Sequence, residues 1–218
     1  MKPMNLLVAA TSAEIIDICG NIIPYQVTKI NENWEVLVTG VGMVSTVFHL
    51  TNAMHRNRYS QIVNVGLAGA INRELYLGQV VNVASDEFAF WGAEDNGAFL
   101  SVFDLHLQNE NESPFQNKKL IPAQSEFKFD NLQKVKGLTV QTVTGTEASL
   151  ELLQKTYTAD SESMEGAAVF YVANQFKISA LQIRAISNYV EPRNRDNWKI
   201  KEALDALTSV VKPLISKC

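Results

Sequence analysis

Short apolar runs bounded by turn-forming residues recur along this chain and predict β-strands. Several of the runs are almost entirely apolar rather than alternating with polar residues. Strands that are apolar on both faces are typical of a sheet covered by helices on both sides. The predicted strands are Asn5–Ala10, Trp34–Thr39, Gln61–Val65, Gly78–Ala84, Leu138–Val143 and Ser179–Ser187.

Helical patterns lie between several of these strands. In the last of them, Ala203, Leu204, Leu207 and Val211 share one helical face, and the pattern stops near Pro213, because proline disrupts a helix interior. The predicted helices are Ala13–Gly20, Val44–Asn57, Glu147–Lys155, Gly166–Phe176 and Asp196–Val211.

This mixture of strands and helices predicts one α/β domain over residues 1–218, with a mixed, largely parallel central β-sheet flanked by helices. Ligands of such sheets bind at the carboxyl ends of the strands. One polar segment, residues 108–125, interrupts the pattern. It is either a surface excursion or a loop that covers a substrate.

Composition narrows the classes of function. The chain is 46% apolar and 19% charged, with a net charge of −4 and no basic run, which argues against a nucleic-acid partner. No segment approaches the ~18 apolar residues of a membrane span, and the start lacks a signal-peptide pattern, so we expect a cytoplasmic protein without a membrane partner. Two isolated cysteines, Cys19 and Cys218, and three histidines without ligand spacing predict no disulfide, metal site or cofactor.

Two glycine-rich turns follow predicted strands. The first, Gly40-Val41-Gly42, lacks the third glycine of a dinucleotide-binding fingerprint. The second, residues 66–70, is rich in small residues, so its backbone can approach a flat ligand closely. Tight turns beneath a packed sheet explain either turn equally well.

Glu14 follows the first predicted strand. The spacing from Thr11 to Glu14 matches a capping box, in which the glutamate closes the start of a helix. The same carboxylate, at the carboxyl end of a strand, is also placed to activate a water molecule. The residues alone leave both interpretations open.

A second carboxylate and an amide stand out further along the chain. Glu165 precedes a helix that opens with small residues, Met164 beside it offers a soft apolar surface, and Asn188 follows an apolar strand. A carboxylate can bind two neighbouring hydroxyls and an amide can read a purine edge, so together they suggest a nucleoside site. The simpler alternatives are an acid favoured by the helix dipole and an asparagine that begins the turn toward Pro192.

In order and spacing, these motifs resemble the nucleoside phosphorylase and nucleosidase superfamily over nearly the whole chain. The most specific are residues 164–168, Met-Glu-Gly-Ala-Ala, and residues 184–188, Arg-Ala-Ile-Ser-Asn. Residues 187–198 are most similar to the branch that hydrolyses futalosine to hypoxanthine and dehypoxanthine futalosine, in the futalosine route to menaquinone. The resemblance implies the fold of that superfamily, a small nucleoside substrate and a homodimer.

The resemblance also implies a role for each matching residue. Glu165 would bind the 2′- and 3′-hydroxyls of a ribose that packs on Met164. Glu14 would orient and deprotonate the attacking water, and Asn188 would contact the N7 side of the purine. The residues implied to line the base are Ala68, Gly69, Ser187 and Thr146.

Departures from the relatives refine this expectation. Residues 9–13 lack the arginines that phosphorylases of the superfamily carry near the first strand, so water rather than phosphate is the expected nucleophile. Asn188 stands where methylthioadenosine nucleosidases place an aspartate, which weighs against acid-catalysed release of adenine without excluding adenine binding. The alternative function is an adenine-releasing nucleosidase acting on methylthioadenosine, adenosylhomocysteine or aminofutalosine.

Futalosine carries a benzoate group, which an arginine can bind through two hydrogen bonds. Arg193 and Arg195 are the candidates for this contact, although both also fit solvated loop charges. Phe88, Phe90 and Trp91 offer either an aromatic wall for the ligand or ordinary core packing.

Overall fold

The structure is a computed structural model that describes residues 4–216. Its strands are β1 (Met4–Ala9), β2 (Thr28–Lys29), β3 (Trp34–Val38), β4 (Tyr59–Ala70), β5 (Val80–Ser85), β6 (Gly92–Asp95), β7 (Ala98–Ser101), β8 (Phe115–Gln116), β9 (Lys119–Leu120), β10 (Gln133–Thr139), β11 (Ser161–Ser163) and β12 (Ser179–Tyr189). Its α-helices are α1 (Ile16–Cys19), α2 (Met43–Arg56), α3 (Glu147–Thr156), α4 (Gly166–Gln175) and α5 (Ile200–Ser216).

Eight of these strands form one mixed sheet, in the order β11-β10-β5-β12-β4-β1-β3-β2. The pairs β1–β3, β1–β4, β4–β12, β5–β10 and β10–β11 are parallel, whereas β5–β12 and β2–β3 are antiparallel. The long strands β4 and β12 stay paired from Gln61 and Ser179 to Ala70 and Tyr189. Their carboxyl ends therefore lie side by side at one edge of the sheet.

The far end of β4 also pairs with β11, on the other side from β12. Ser161 lies opposite Ala70 and Glu162 lies opposite Gly69 in this antiparallel pairing. Because β11 is also joined to β12 through β10 and β5, five strands close on themselves around this end of β4. The closure brings residues distant in sequence to one place.

Helices cover both faces of the sheet. On one face, α1 and α5 pack on strands β1, β3, β4 and β12, with Leu207 and Val211 fully buried. On the other face, α2 and α4 pack together over Leu6 and Val8 of β1. Within residues 4–216, no helix is both long enough and apolar enough to cross a membrane.

The predicted fold class, a mixed α/β sheet flanked by helices, is confirmed. Strands β1, β3, β5 and helices α2, α3 and α4 lie within about two residues of their predicted bounds. Strands β4 and β12 run further than predicted, by five residues and two residues at their carboxyl ends. These extensions contain Gly69 and Asn188, so the residues expected after the strands are part of them.

Two predicted elements are misplaced. The strand predicted at Leu138–Val143 ends at Thr139 and begins earlier, at Gln133, because its solvent-exposed first half carries polar side chains that hide the pattern. The last helix begins at Ile200 rather than Asp196, since residues 195–197 form a separate 3₁₀ turn, and it continues through Pro213 to Ser216. The proline lacks the N–H that would bond the carbonyl of Ser209, so it removes one hydrogen bond from the last turns of this helix.

The polar segment 108–125 contains the short hairpin of β8 and β9. Leu120 is fully buried, and its backbone exchanges hydrogen bonds of 2.8 and 3.0 Å with that of Asp86. The segment is thus tied to the side of the sheet, which favours the surface excursion over the substrate-covering loop.

A buried polar cluster supports the start of α4. Asp86 accepts hydrogen bonds from the hydroxyl of Thr139 at 2.9 Å and from the amide of Gln182 at 3.0 Å. Thr139 Oγ1 in turn accepts the backbone N–H of Ala167 at 2.7 Å. Gly166 lies so close that a Cβ there would be 2.2 Å from Asp86 Oδ2. The cluster thereby fixes the helix turn that follows Glu165.

Burial raises the pKa of Asp86 to about 6, against hydrogen bonds that lower it. A raised pKa means that the protonated form is favoured by folding, so this contribution to stability is complete below pH ~4 and is lost as the pH rises through 6. We therefore expect Asp86→Asn to gain roughly 3 kcal/mol of unfolding free energy relative to the wild type between pH 4 and pH 7. Urea unfolding of both proteins across that range measures the difference, and a pH-independent difference would contradict the prediction.

Candidate active site

A cavity of about 200 Å³ opens at the carboxyl ends of the parallel strands. Its walls come from the segments that follow β1 and β3 and from the last residues of β4, β11 and β12. This is the edge at which such sheets bind ligands. The lining residues are Ala10, Thr11, Glu14, Val41, Leu67, Ala68, Gly69, Val143, Glu162, Ser163, Met164, Glu165, Ser187, Asn188, Trp198 and Ile200.

Glu14 joins the turn after β1 to strand β4. Its Oε2 accepts the backbone N–H of Thr11 at 2.9 Å and the hydroxyl of Thr11 at 3.2 Å, which completes the capping box. Its Oε1 accepts the backbone N–H of Leu67 at 3.1 Å. The carboxylate of Glu14 therefore closes the capping box of the turn after β1 and also lines the cavity.

Glu165 lies immediately before α4, yet its carboxylate does not cap that helix. Instead, Oε1 accepts the backbone N–H of Gly42, the residue that precedes α2, at 2.9 Å. The side chain is only 7% exposed. The positive end of the α2 dipole favours a carboxylate at this place. The Gly40–Gly42 turn thus serves to hold Glu165.

Arg184 is buried beneath both carboxylates. Its side chain is 1% exposed, and Nη1 lies 3.7 Å from Oε2 of Glu165. Its Nη2 donates to Oδ1 of Asn64 at 2.8 Å. Sequence reasoning gave this arginine no role. The available signal was a single charged residue within the apolar strand β12, since a buried charge requires a partner.

These three charges are electrostatically coupled. Burial raises the pKa of Glu14, Arg184 lowers it, and the nearby Glu165 raises it again. The net shift is upward, which makes this carboxylate a stronger base than an exposed glutamate. The cation of Arg184 opposes the shift and favours the ionised form that a general base requires.

Gly66 of β4 passes directly beneath this group. A Cβ at that position would lie 2.5 Å from Arg184 Nη1 and 2.6 Å from Glu14 Oε1, much closer than atoms of this kind approach. The segment 66–70, predicted as a turn, is part of strand β4, and glycine is required at position 66 by close contact with the two side chains rather than by a positive φ.

We expect Gly66→Ala to lower kcat/KM by about 100-fold, since displacement of a catalytic group by an ångström has effects of that size. Gly97→Ala is the matched control, because Gly97 has a strained φ of 84° but nothing within 4 Å of an added Cβ. The control should lose stability and keep its activity. Steady-state kinetics and thermal unfolding of both variants make the comparison, and equal kinetics for the two would contradict it.

Asn188 lies at the end of β12, opposite Gly69 of β4. Its Oδ1 accepts the hydroxyl of Ser187 at 2.8 Å and its Nδ2 donates to the carbonyl of Tyr189 at 3.0 Å. A Cβ on Gly69 would lie 3.1 Å from that amide nitrogen. An amide nitrogen carries two hydrogens, so one remains to point at a ligand. Ala68, Gly69 and Ser187 all lie in the same lining.

The structure does not bring Thr146, Arg193 or Arg195 to the lining of the cavity. Thr146 is exposed and caps α3, accepting the N–H of Ser149 at 3.2 Å. Both arginines are exposed, and their guanidinium groups lie 5.7 and 5.9 Å from the ring of Trp198. Because Trp198 itself lines the cavity, the arginines flank its mouth.

Phe88, Phe90 and Trp91 belong to an aromatic cluster outside this lining. Phe88 packs edge-on against Trp91, with ring centroids 5.7 Å apart, and Trp91 packs in the same way against Phe103. Together with the exposed side of α2, residues 88–91 line a separate apolar groove. This arrangement favours packing over a wall of the nucleoside cavity.

Comparison with known proteins agrees with this geometry. Residues 23–216 match the profile of the Phosphorylase superfamily, and the chain belongs to that superfamily.

Within the superfamily, the chain is similar to the futalosine hydrolase of Streptomyces coelicolor. The two are 34% identical, over 97% of this chain and 95% of that protein. A futalosine hydrolase of Thermus thermophilus is 30% identical, over 83% of this chain and 80% of that protein.

Solved structures share the fold at lower identity. A futalosine hydrolase mutant of Helicobacter pylori superimposes with a TM-score of 0.76 at 16% identity, covering 99% of this chain and all of that one. A 5′-methylthioadenosine/S-adenosylhomocysteine nucleosidase of the same organism gives 0.75 at 14% identity, with complete coverage of both chains. The fold alone therefore does not separate the two activities.

Proposed function

We propose that this chain hydrolyses the N-glycosidic bond of futalosine, releasing hypoxanthine and dehypoxanthine futalosine in menaquinone biosynthesis. The observation that carries the proposal is the convergence of Glu14, Glu165 and Asn188 on one cavity. The similarity to futalosine hydrolases over nearly the full length supports the choice of substrate.

Glu165 binds the ribose 2′- and 3′-hydroxyls, and Met164 packs against the sugar. Cleavage of an N-glycosidic bond builds positive charge on the sugar ring, and a buried carboxylate close to that charge stabilises it. Gly42 and Arg184 hold the carboxylate in place from behind. The site is thereby preorganised before the substrate arrives.

Glu14 removes a proton from the attacking water. The water oxygen bonds to C1′ while the electrons of the C1′–N9 bond move to the purine. Asn188 donates a hydrogen bond to the N7 or O6 side of the departing purine anion and stabilises its charge. The anion takes up a proton from solvent to give hypoxanthine, and Glu14 releases to solvent the proton that it gained from water. Water is the nucleophile because the turn at residues 9–13, which lines the cavity after β1, carries no arginine to hold phosphate.

A panel of nucleosides, assayed with and without phosphate, tests the proposal. Futalosine, aminofutalosine, methylthioadenosine, adenosylhomocysteine and inosine are incubated with the protein, and the released base is identified by chromatography. We expect hypoxanthine from futalosine at the same rate with and without phosphate. Preferential adenine release, or a strict requirement for phosphate, would refute it.

Asn188→Asp tests the role of the amide. An aspartate can transfer a proton to N7, which suits an adenine leaving group, whereas asparagine can only donate a hydrogen bond. We expect the ratio of kcat/KM for aminofutalosine over that for futalosine to rise by about 10-fold or more. This is a modest share of the rate that general acid catalysis usually contributes. An unchanged ratio would mean that purine selection lies elsewhere in the site.

We also infer that two copies of the chain pair through the apolar surface of α2. Val44 and Phe48 are 77% and 61% exposed, and they border the groove formed with residues 88–91. Exposed apolar patches of this kind mark interaction sites. Light scattering should give a dimer for the wild type and for Leu107→Asp, an exposed position outside the groove, and a monomer for Phe48→Asp.

A cytoplasmic location of the protein stays a prediction, which cell fractionation tests.

A further inference from the structure

Glu162 is a buried carboxylate of the cavity that the mechanism above does not use. It is 4% exposed and lies in β11, directly opposite Gly69 of β4. On its other side, Gly69 lies opposite Asn188 of β12. Glu162 and Asn188 therefore flank the same small residue, and both line the cavity.

Two hydrogen bonds fix the Glu162 carboxylate. Oε1 accepts the backbone N–H of Thr144 at 3.1 Å, and Oε2 accepts the hydroxyl of Thr144 at 2.5 Å. Burial raises the pKa of Glu162, whereas these two hydrogen bonds oppose that shift and favour the ionised form. An ionised carboxylate has about four acceptor positions and no donor. Two positions thus remain for a donor on a ligand.

Asn188 cannot by itself distinguish the two common purines. Its amide is fixed as a donor, since Nδ2 donates to the carbonyl of Tyr189 and Oδ1 accepts the hydroxyl of Ser187, and a donor can bind N7, which is an acceptor in both bases. The ring nitrogen N1 differs more sharply. It carries a hydrogen in 6-oxopurines and a lone pair in 6-aminopurines.

We propose that Glu162 is a specificity-determining residue that accepts the N1–H of a 6-oxopurine base. This inference rests on the proposed function, since it assigns the base that the same site selects. A 6-aminopurine in the same pose would place its N1 lone pair against carboxylate lone pairs. A site built around a hydrogen bond rejects a ligand that leaves its buried polar group unpaired.

The test compares Glu162→Gln with the wild type on futalosine and aminofutalosine, which differ only at position 6 of the purine. The glutamine amide can donate to N1 of the 6-aminopurine. The ratio of kcat/KM for futalosine over aminofutalosine should therefore fall by at least about 10-fold, the scale of a hydrogen bond to a charged group. Thermal unfolding shows whether the variant is folded.

Thr144→Val is the matched control, because it removes the hydroxyl that holds Glu162 and leaves the carboxylate. If Glu162 only fastens the segment at residues 143–145, both variants lower kcat/KM for the two substrates equally, which overturns the proposal. If the Glu162 carboxylate accepts the N1–H of the base, Thr144→Val should keep the preference for futalosine, and Glu162→Gln should lose it.

A second measurement does not depend on catalysis or on the variant's turnover. The affinities of free hypoxanthine and adenine are measured by calorimetry for the wild type and Glu162→Gln. A preference for hypoxanthine in the wild type that disappears in the variant supports the assignment, and equal preferences in both proteins overturn it. Wild-type protein that binds hypoxanthine through Glu162 but cleaves no futalosine would refute the proposed function alone.

Discussion

Glu165→Gln is expected to lower kcat/KM for futalosine by about 100-fold or more, which is the scale seen when one preorganised transition-state contact is removed. A neutral amide keeps an oxygen that can accept the N–H of Gly42, but it loses the charge that faces the developing positive charge on the ribose. The loss should fall mainly on kcat, because the contact strengthens in the transition state. Steady-state kinetics with chromatographic detection of hypoxanthine measure it.

The structure makes glutamine a better substitution than alanine at this position. Glu165 is the carboxylate paired with the buried guanidinium of Arg184, and its removal leaves that charge poorly compensated. Breaking a buried pair from one side costs about 3–5 kcal/mol. Both variants remove this charge and should lose stability, but Glu165→Gln keeps the side-chain volume and the oxygen that accepts the N–H of Gly42, so it should lose less than Glu165→Ala. A fully folded Glu165→Gln with near-normal kcat would refute the ribose-binding role.

Glu14→Gln is expected to reduce kcat by about 100-fold or more, the usual contribution of a general base, while substrate still binds. The amide cannot take a proton from water. Because the pKa of Glu14 is raised by burial and by Glu165, wild-type kcat/KM should fall as the pH drops through that raised pKa and the base becomes protonated. The residual activity of Glu14→Gln should lack that acidic limb.

Two controls keep this prediction specific. The glutamine places its NH₂ group toward the N–H of either Thr11 or Leu67, so a stability cost of about 1–3 kcal/mol is expected and is measured by thermal unfolding. Thr11→Val removes one hydrogen bond to Glu14 but keeps its carboxylate, and it should retain the acidic limb. If Glu14→Gln shows the wild-type pH profile and kcat, another group is the base.

The sequence predicts the sheet and the edge at which ligands bind. Apolar runs in the sequence predict strands β1, β4 and β12. Parallel pairing of these strands brings their carboxyl ends to the same edge of the sheet. That is why Glu14 and Asn188, more than 170 positions apart in the sequence, line one cavity in the structure. The resemblance to nucleosidases then supplied roles, which variants such as those above must test. The single-domain organisation of residues 1–218 likewise stays a prediction.

What sequence reasoning missed depends on contacts between distant segments. In the sequence, Arg184 is an unexplained charge within an apolar strand. Its partners Glu165, Glu14 and Asn64 become apparent only in the folded chain. Glu162 has no distinguishing neighbour in sequence, because its partner Thr144 is 18 positions away. Strand β11, which contains Glu162, is three residues long and therefore too short to show the alternation of apolar and polar residues that predicts a strand. Thr146, expected at the base, lies in the segment next to Thr144, where its hydroxyl caps α3.

A crystal structure of Glu14→Gln with bound futalosine tests the proposed mechanism most directly. We expect the ribose 2′- and 3′-hydroxyls on Glu165, hypoxanthine between Asn188 and Glu162, and the benzoate directed toward the cavity mouth near Trp198. A purine bound elsewhere, or a ribose whose hydroxyls face away from Glu165, would contradict it.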